Sequence, residues 1–224
     1  MKRSHVRAEP AILYFGTPVV LISTTNEDGS ANIAPMSSAF WLGWRCMLGL
    51  ESSSKTTENL LRTRECVLNL ASVDEAAAVN RLARLTGSNP VPPSKADRGY
   101  TYAKNKFEIA QLTPMLSETV AVPRALECPV QMEAVVADRR PIMDDLEAWR
   151  GSIQVFEVRI TRVHIDQTLL MDGQPNRVNS EKWKPLIMSF SKLYGLAPSQ
   201  VLHSKLGEID EAKYRSPDVD RVDA

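Results

Sequence analysis

Ser52-Ser53-Ser54-Lys55-Thr56-Thr57 gathers five hydroxyls around one ammonium, directly ahead of a helical pattern. A helix start leaves its first N–H groups unpaired and carries the positive end of the helix dipole. Donors of this kind suit an anion. Capping needs one hydroxyl, and this segment has more than that. A lysine at the positive end of a helix is misplaced unless an anion joins it.

Other chemistries lack their residue patterns. The ten glycines include no G-x-G pair and no Gly-rich phosphate loop, which removes the dinucleotide fingerprint and the P-loop. No G-x-S-x-G is present, which weakens a hydrolase reading. His5, His164 and His203 lack metal-ligand spacing, so no metal site is expected. Cys46, Cys66 and Cys128 are odd in number, form no CxxC and lie in apolar runs. They read as buried small hydrophobes rather than ligands or disulfides.

The elements that must position the segment follow from pattern. Residues 18–25 are β-branched and read as a strand, and Asn26 to Ser30 is a turn signal. Residues 31–40 are then expected to return antiparallel, with 45–51 as a third strand and 55–64 as a short helix. A strand over 66–71 and a helix over 74–85 follow. Residues 87–104 contain Pro90, Pro92, Pro93 and Gly99 with no period, and read as a long surface loop. Its Tyr100, Tyr102 and Lys104 could order around a ligand or partner. A further strand is expected at 117–122, and long strands at 130–138 and 152–166. In the last of these the apolar parity switches between Val155 and Phe156, which predicts a bulge there. Residues 144–150 hold at most a helical turn, 183–195 a short helix, and the charged tail from 208 is expected to be loosely held.

Strands joined by only short helices argue against parallel crossovers. The fold class expected is mainly β: one closed, mostly antiparallel barrel spanning 1–224, with a core over about 18–166 and a C-terminal extension over about 180–224. Lys+Arg 27 balances Asp+Glu 27, so nucleic acid and membrane surfaces are not expected partners. The apolar run 11–22 is interrupted by Gly16 and Pro18, and no run reaches transmembrane length. A cytoplasmic protein is the expectation.

Three stretches in order carry a resemblance: Asn32-x-Ala34-Pro35-x-Ser37, Ser53-x-Lys55-x-Thr57-x-Asn59, and Cys66-Val67-Leu68-Asn69-Leu70. Together with 106–114 and 123–130, they resemble the flavin reductase-like, FMN-binding split-barrel family, which includes flavoredoxins and reductase components of two-component monooxygenases. The match runs over about two thirds of the chain. Lys55-Thr56-Thr57 stands where many members carry Lys-Asp-Thr, and the family's late His-containing strand motif is not clear.

The resemblance implies an FMN-binding oxidoreductase in which NADH or NADPH reduces the flavin, and a homodimer with flavin near its interface. A partner monooxygenase or an electron-acceptor protein would receive the electrons. Ser53, Ser54, Lys55, Thr56, Thr57 and Asn59 are the implied phosphate end. Asn32, Ala34, Pro35, Ser37 and Ser38 are implied at the polar edge of the ring. Phe40, Trp41 and Trp44 either flank a ring or pack in a core or interface. Two alternatives remain: an FMN carrier or sensor without reductase turnover, and an oxidase of the pyridoxamine phosphate oxidase type.

Overall fold

A computed structural model describes residues 3–202 and 204–221; Lys2, His203 and the last three residues of the tail lie outside them. The chain begins with β1 (Phe15–Pro18), β2 (Val20–Thr25), β3 (Ala31–Met36), β4 (Ala39–Leu42) and β5 (Arg45–Glu51). Helix α1 (Lys55–Thr63), β6 (Glu65–Leu70) and α2 (Ala76–Leu82) follow. Short pieces come next: β7 (Leu85–Thr86), α3 (Pro93–Ala96), β8 (Thr101–Tyr102), α4 (Lys106–Ala110), β9 (Pro114–Met115) and β10 (Arg124–Ala125). Two long strands, β11 (Val130–Ile142) and β12 (Ile153–Ile165), precede β13 (Leu170–Met171), β14 (Gln174–Val178), β15 (Ile187–Ser189) and β16 (Lys192–Tyr194).

Seven strands form one sheet in the order β3-β2-β6-β11-β12-β5-β4, with every pairing antiparallel. The architecture is mainly β with few short helices. The sheet ends on β3 and β4, joined in the chain by Ser37 and Ser38, and no ladder closes them among the described residues. The expected closure of the barrel is therefore not part of the hydrogen-bonded order.

Strand β2 explains its own composition. Val20 and Ile22 face one core with Leu48, Leu50, Leu68, Phe156 and Val158. Val19 and Leu21 face a second core with Ile33, Val79, Leu82 and Phe107, beneath α2 and α4. A strand covered on both sides reads as a continuous apolar run. Strand β5 has a single apolar side and alternates instead: Cys46, Leu48 and Leu50 are buried while the residues between them are half-buried. Helix α1 stops at Arg64 in the left-handed region, φ 59°. Arg64 is held there by Val136, which donates its N–H to the Arg64 carbonyl and accepts from the guanidinium, each at 2.8 Å. The three cysteines are buried and unbonded, and burial pushes the Cys46 thiol up to about 12.

Five expectations are corrected. Residues 183–195 form no helix: β15 and β16 make a hairpin that pairs with β1. Its two turn residues, Phe190 and Ser191, both take positive φ (46° and 62°). That turn normally uses Asn or Gly, so the sequence carried no hairpin signal. Residues 117–122 form no strand, because carboxylates take their N–H groups. Glu133, fully buried, accepts from Glu118 N at 2.8 Å and Thr119 N at 2.5 Å, and Glu65 accepts from Ala121 N at 2.9 Å. His164 Nε2 completes this cluster at 2.7 Å from Glu133.

The third correction concerns the bulge. Strand β12 alternates without interruption from Ile153 to Ile160, since Gln154 is buried on the Phe156 side and bonds Ser52 Oγ at 3.2 Å. Strand β12 does carry an extra residue, but further along: Thr161 falls between the partners of Glu133 and Ala134, and β11 carries the other, Ala137, between Val136 and Asp138. Fourth, the 87–104 segment is not featureless: β7 and β8 pair in parallel around α3, and Ser88, Lys95 and Ala103 are buried. Fifth, the tail is anchored near its end. Arg45 grips Asp218 through two bonds at 2.7 and 3.0 Å, which holds that carboxyl below its usual range.

Candidate functional site

Ser54 caps α1 from an extended backbone (φ −82°, ψ 143°), its Oγ accepting from Thr57 N at 3.0 Å. The same Oγ lies 2.8 Å from Thr57 Oγ1, which donates to the Glu51 carbonyl at 2.8 Å. Both hydroxyls thus serve the helix start. Lys55 Nζ lies 2.6 Å from Glu58 Oε1, one turn along. The N–H groups of Lys55 and Thr56 have no carbonyl four residues back and remain as donors.

Beneath the helix start lies a buried polar knot. Asn32 donates to Thr24 Oγ1 at 3.1 Å and Thr56 Oγ1 at 3.4 Å. Asn59 donates to the same Thr24 Oγ1 at 3.0 Å and to Asn26 Oδ1 at 2.9 Å. These amides tie β2, β3 and α1 together. Asn32 Oδ1 is buried without a partner. Along β3, Ala34 and Pro35 are half-buried and pair with Ile22 and Leu21. Pro35 lies on an edge strand, where its missing N–H costs no second ladder. Ser38 Oγ meets Tyr14 OH at 3.1 Å and the Ser38 carbonyl accepts from Gly49 N at 2.9 Å; Ser37 is half-buried. The sequence-derived residues therefore come together as a group, but several spend their polar atoms on one another.

The segment after β7 lies over this group. Ser88 Oγ donates to the Ser53 carbonyl at 3.4 Å, and Arg98 grips Glu51 at 2.8 and 3.0 Å. Gly87 fits so closely that an added Cβ would stand 2.8 Å from Asn32 Oδ1 and 3.0 Å from Lys55 Cγ. Lys104 is engaged elsewhere, 2.7 Å from Asp28 Oδ2.

Sequence reasoning did not single out two lysines that folding draws inward. Lys95, on α3, is 7% exposed and Lys106, at the start of α4, is 2% exposed. Neither side chain makes a hydrogen bond or an ion pair among the described residues. Burial pushes the Lys106 ammonium down to about 7, and Lys95 adds repulsion. Burial lowers Lys95 too, against the pull of Glu51, which Arg98 already holds. One signal could have flagged Lys106: Phe107 and Ala110 anchor α4 in the second core and carry their neighbour inward.

Trp41 and Trp44 pack against the first core, whereas Phe40 is 56% exposed. Phe40 lines a cleft of about 410 Å3 with Met47, Val155, Glu157, Asp138, Arg139 and Arg140, on the face of β5 and β12 turned away from the core.

The donor set fits a flavin phosphate: helix N–H groups, the exposed Ser53, Lys55, and on the segment above them Lys95 and Lys106, which form no ion pair among the described residues. Asn32 Oδ1 is an acceptor covered by Gly87 and adds nothing to an anion. No described helix is long and apolar enough to cross a membrane. The sequence profile of the "Flavin reductase like domain" matches residues 12–196. The uncharacterised protein YdfE of Bacillus subtilis (strain 168) is 39% identical over 188 residues, covering 84% of this chain and 87% of that protein. Among solved structures, the fold is similar to the flavoredoxin of Desulfovibrio vulgaris (Miyazaki F): TM-score 0.71, 18% identity, 92% of this chain and 100% of that one. It is similar also to nitrilotriacetate monooxygenase component B from Bacillus cereus: TM-score 0.69, 20% identity, 90% of this chain and 100% of that one. On the extent of the profile match and the identity to YdfE, this chain belongs to the flavin reductase-like family.

Proposed function

We propose that this protein is an FMN-binding oxidoreductase that uses NADH or NADPH to reduce flavin and passes reduced flavin, or its electrons, to a partner oxygenase or acceptor protein. One observation carries the reading. In a flavin reductase-like chain, the open end of α1 and two buried lysines with no ion-pair partner among the described residues occupy neighbouring segments. A flavin phosphate is the anion that accounts for both. Bound flavin supplies the two-electron chemistry, while the chain binds and orients. The N–H groups of Lys55 and Thr56, with Ser53, hold the phosphate. The edge strand β3 continues through Ser37 and Ser38, and its backbone between Ala34 and Ser38 offers donors and acceptors to the polar edge of the ring. Asn32, Ser54, Thr57 and Asn59 keep this group in shape. No residue is assigned as general acid or base.

A second copy of the chain is the proposed cover for the exposed apolar edge of β4, where Phe40 is 56% and Leu42 68% exposed. The absorbance spectrum of the purified protein, followed by steady-state NADH and NADPH oxidation with added FMN, tests the function. Turnover with FMN supports a reductase. Bound flavin without turnover reduces the reading to a carrier, and absence of any flavin affinity rejects it.

A further inference from the structure

A second cavity, of about 580 Å3, opens between β8 and α4 and is lined chiefly by Tyr102, Lys104, Asn105, Glu108, Ile109 and Gln111. Packing explains why these side chains share one open side. Phe107 and Ala110 turn the inner side of α4 into the second core, which leaves Glu108 and Ile109 exposed. Gln111 ends that helix in the left-handed region, φ 56°. The buried Ala103 donates to Thr86 at 2.9 Å, while Tyr102 and Lys104 on either side of it are exposed. The lining suits a nucleobase. Tyr102 offers a ring and Ile109 an aliphatic chain, 43% and 41% exposed. Bases stack on aromatic rings, and the amides of Asn105 and Gln111 can match the donor and acceptor of an adenine edge.

The charges around the cavity do not suit a further phosphate. Lys104 Nζ lies 2.7 Å from Asp28 Oδ2, a contact that holds the Asp28 carboxyl below its usual range. Glu108 forms no ion pair among the described residues, and its Oε2 accepts from Asn105 Nδ2 at 3.3 Å. A carboxylate of this kind accepts from ribose hydroxyls and repels a 2′-phosphate. The cavity also adjoins the start of α1. Thr86 precedes Gly87, which packs on Asn32 and Lys55, and Asp28 lies in the turn whose Asn26 accepts from Asn59 of α1 at 2.9 Å. We infer that this cavity takes the adenosine half of the reducing dinucleotide, and that Glu108 and Asp28 make the protein use NADH rather than NADPH. The inference rests on the proposed function for the presence of a dinucleotide. The base stacks on Tyr102, and the ribose diol meets Glu108.

Steady-state kinetics of the full chain with added FMN tests this in wild type, Tyr102→Ala, Glu108→Gln and Asp28→Asn. All three residues are exposed, so the variants keep the fold. Wild type is expected to show a KM for NADH about tenfold or more below that for NADPH. Tyr102→Ala should raise the KM for NADH by about fivefold to a hundredfold, the range of one base–aromatic stack, with FMN affinity held within about twofold. Glu108→Gln and Asp28→Asn should lower the KM for NADPH, the second by freeing Lys104. A wild type that prefers NADPH, an unchanged KM for NADH in Tyr102→Ala, or an unchanged preference in both acid variants overturns the inference. Should wild type oxidise neither nucleotide, the functional reading falls, and calorimetric titration with ADP and its 2′-phosphorylated form probes the cavity by itself. ADP binding that is tighter than that of the 2′-phosphorylated form and is lost in Tyr102→Ala supports the adenosine site. Absence of ADP binding, or equal binding by the variant, overturns it.

Discussion

The start of α1 and the segment lying over it both carry anion-binding groups, yet they differ in how those groups are spent. At α1, Ser54 and Thr57 bond each other and the backbone, and Lys55 bonds Glu58. Across the contact at Gly87, Lys95 and Lys106 are buried, and their side chains form no hydrogen bond or ion pair among the described residues. The difference teaches that a cluster of donors in sequence is first a cap, since a helix start uses such groups for itself. Groups that wait for a ligand are recognised by what folding leaves unpaired.

The largest expected effect comes from removing the unpaired charge. Lys106→Met keeps length and apolar contact and should stabilise the ligand-free protein at pH 7. The folded-state value of about 7 lies below the ordinary 10.5, so at 1.36 kcal/mol per unit the cost is on the order of 4 kcal/mol. Below pH 7 both folded and unfolded chains hold the proton and the cost is complete. Between pH 7 and 10.5 the folded chain releases it first, so wild-type stability rises with pH and the variant's advantage shrinks. Urea unfolding at pH 7 and pH 9 should show the gap narrowing by about 2 kcal/mol. A gap independent of pH would mean that Lys106 has a partner, and the comparison would break.

Gly87 is the seam between the two regions, and Gly87→Ala tests whether they act together. The new Cβ would press on Asn32 Oδ1 and Lys55 Cγ, at 2.8 and 3.0 Å. Asn32 is buried and held by two hydroxyls, so the loop must move instead. Overpacking of this kind costs about 1–3 kcal/mol. Hydrogen exchange should quicken over 88–98, and FMN affinity should fall severalfold. Normal exchange with normal affinity would separate the regions.

The seam also marks where the sequence stops being legible. Strand β5 matches its expected range because alternation around Cys46, Leu48 and Leu50 is a local signal. Helix α1 starts at Lys55 because Ser54 and Thr57 are local caps. The β1–β15 pairing joins residues more than a hundred positions apart, and its hairpin turns on Phe190 and Ser191, which carry no turn signature. The segment 117–122 looked like a strand, but Glu133 and Glu65 reach it from β11 and β6. Lys95 and Lys106 were illegible for the same reason: whether a lysine has an acid beside it is decided by packing.

Ser54→Ala sharpens the comparison from the α1 side. The cap bond from Thr57 N is lost, which should lower stability by about 1 kcal/mol. The Ser54 hydroxyl is engaged inside the helix start, so FMN affinity should change by less than about threefold. Chemical denaturation and flavin titration of the same sample read the two quantities. A large affinity loss with little change in stability would make Ser54 a ligand contact.

The smallest expected effect concerns Lys55. Its partner Glu58 is 44% exposed and Lys55 is 19% exposed, so their pair is partly screened and contributes about 0.2–0.5 kcal/mol to the helix. Glu58→Gln removes a negative charge from the first turn of α1 and frees Lys55 without touching Lys95 or Lys106. FMN should bind about two- to threefold more tightly at low salt, because the anion no longer competes with Glu58. Screening should erase most of that gain near 0.5 M salt, where the Debye length falls to a few ångströms. Lys55→Met should in turn weaken FMN binding by less than Lys106→Met does. Among the described residues Lys106 has no carboxylate in contact, while Lys55 acts through a charge already half spent. If Lys55→Met proves the more damaging of the two, the order of the two regions is reversed. The helix start would then be the main phosphate contact, and the buried pair its support.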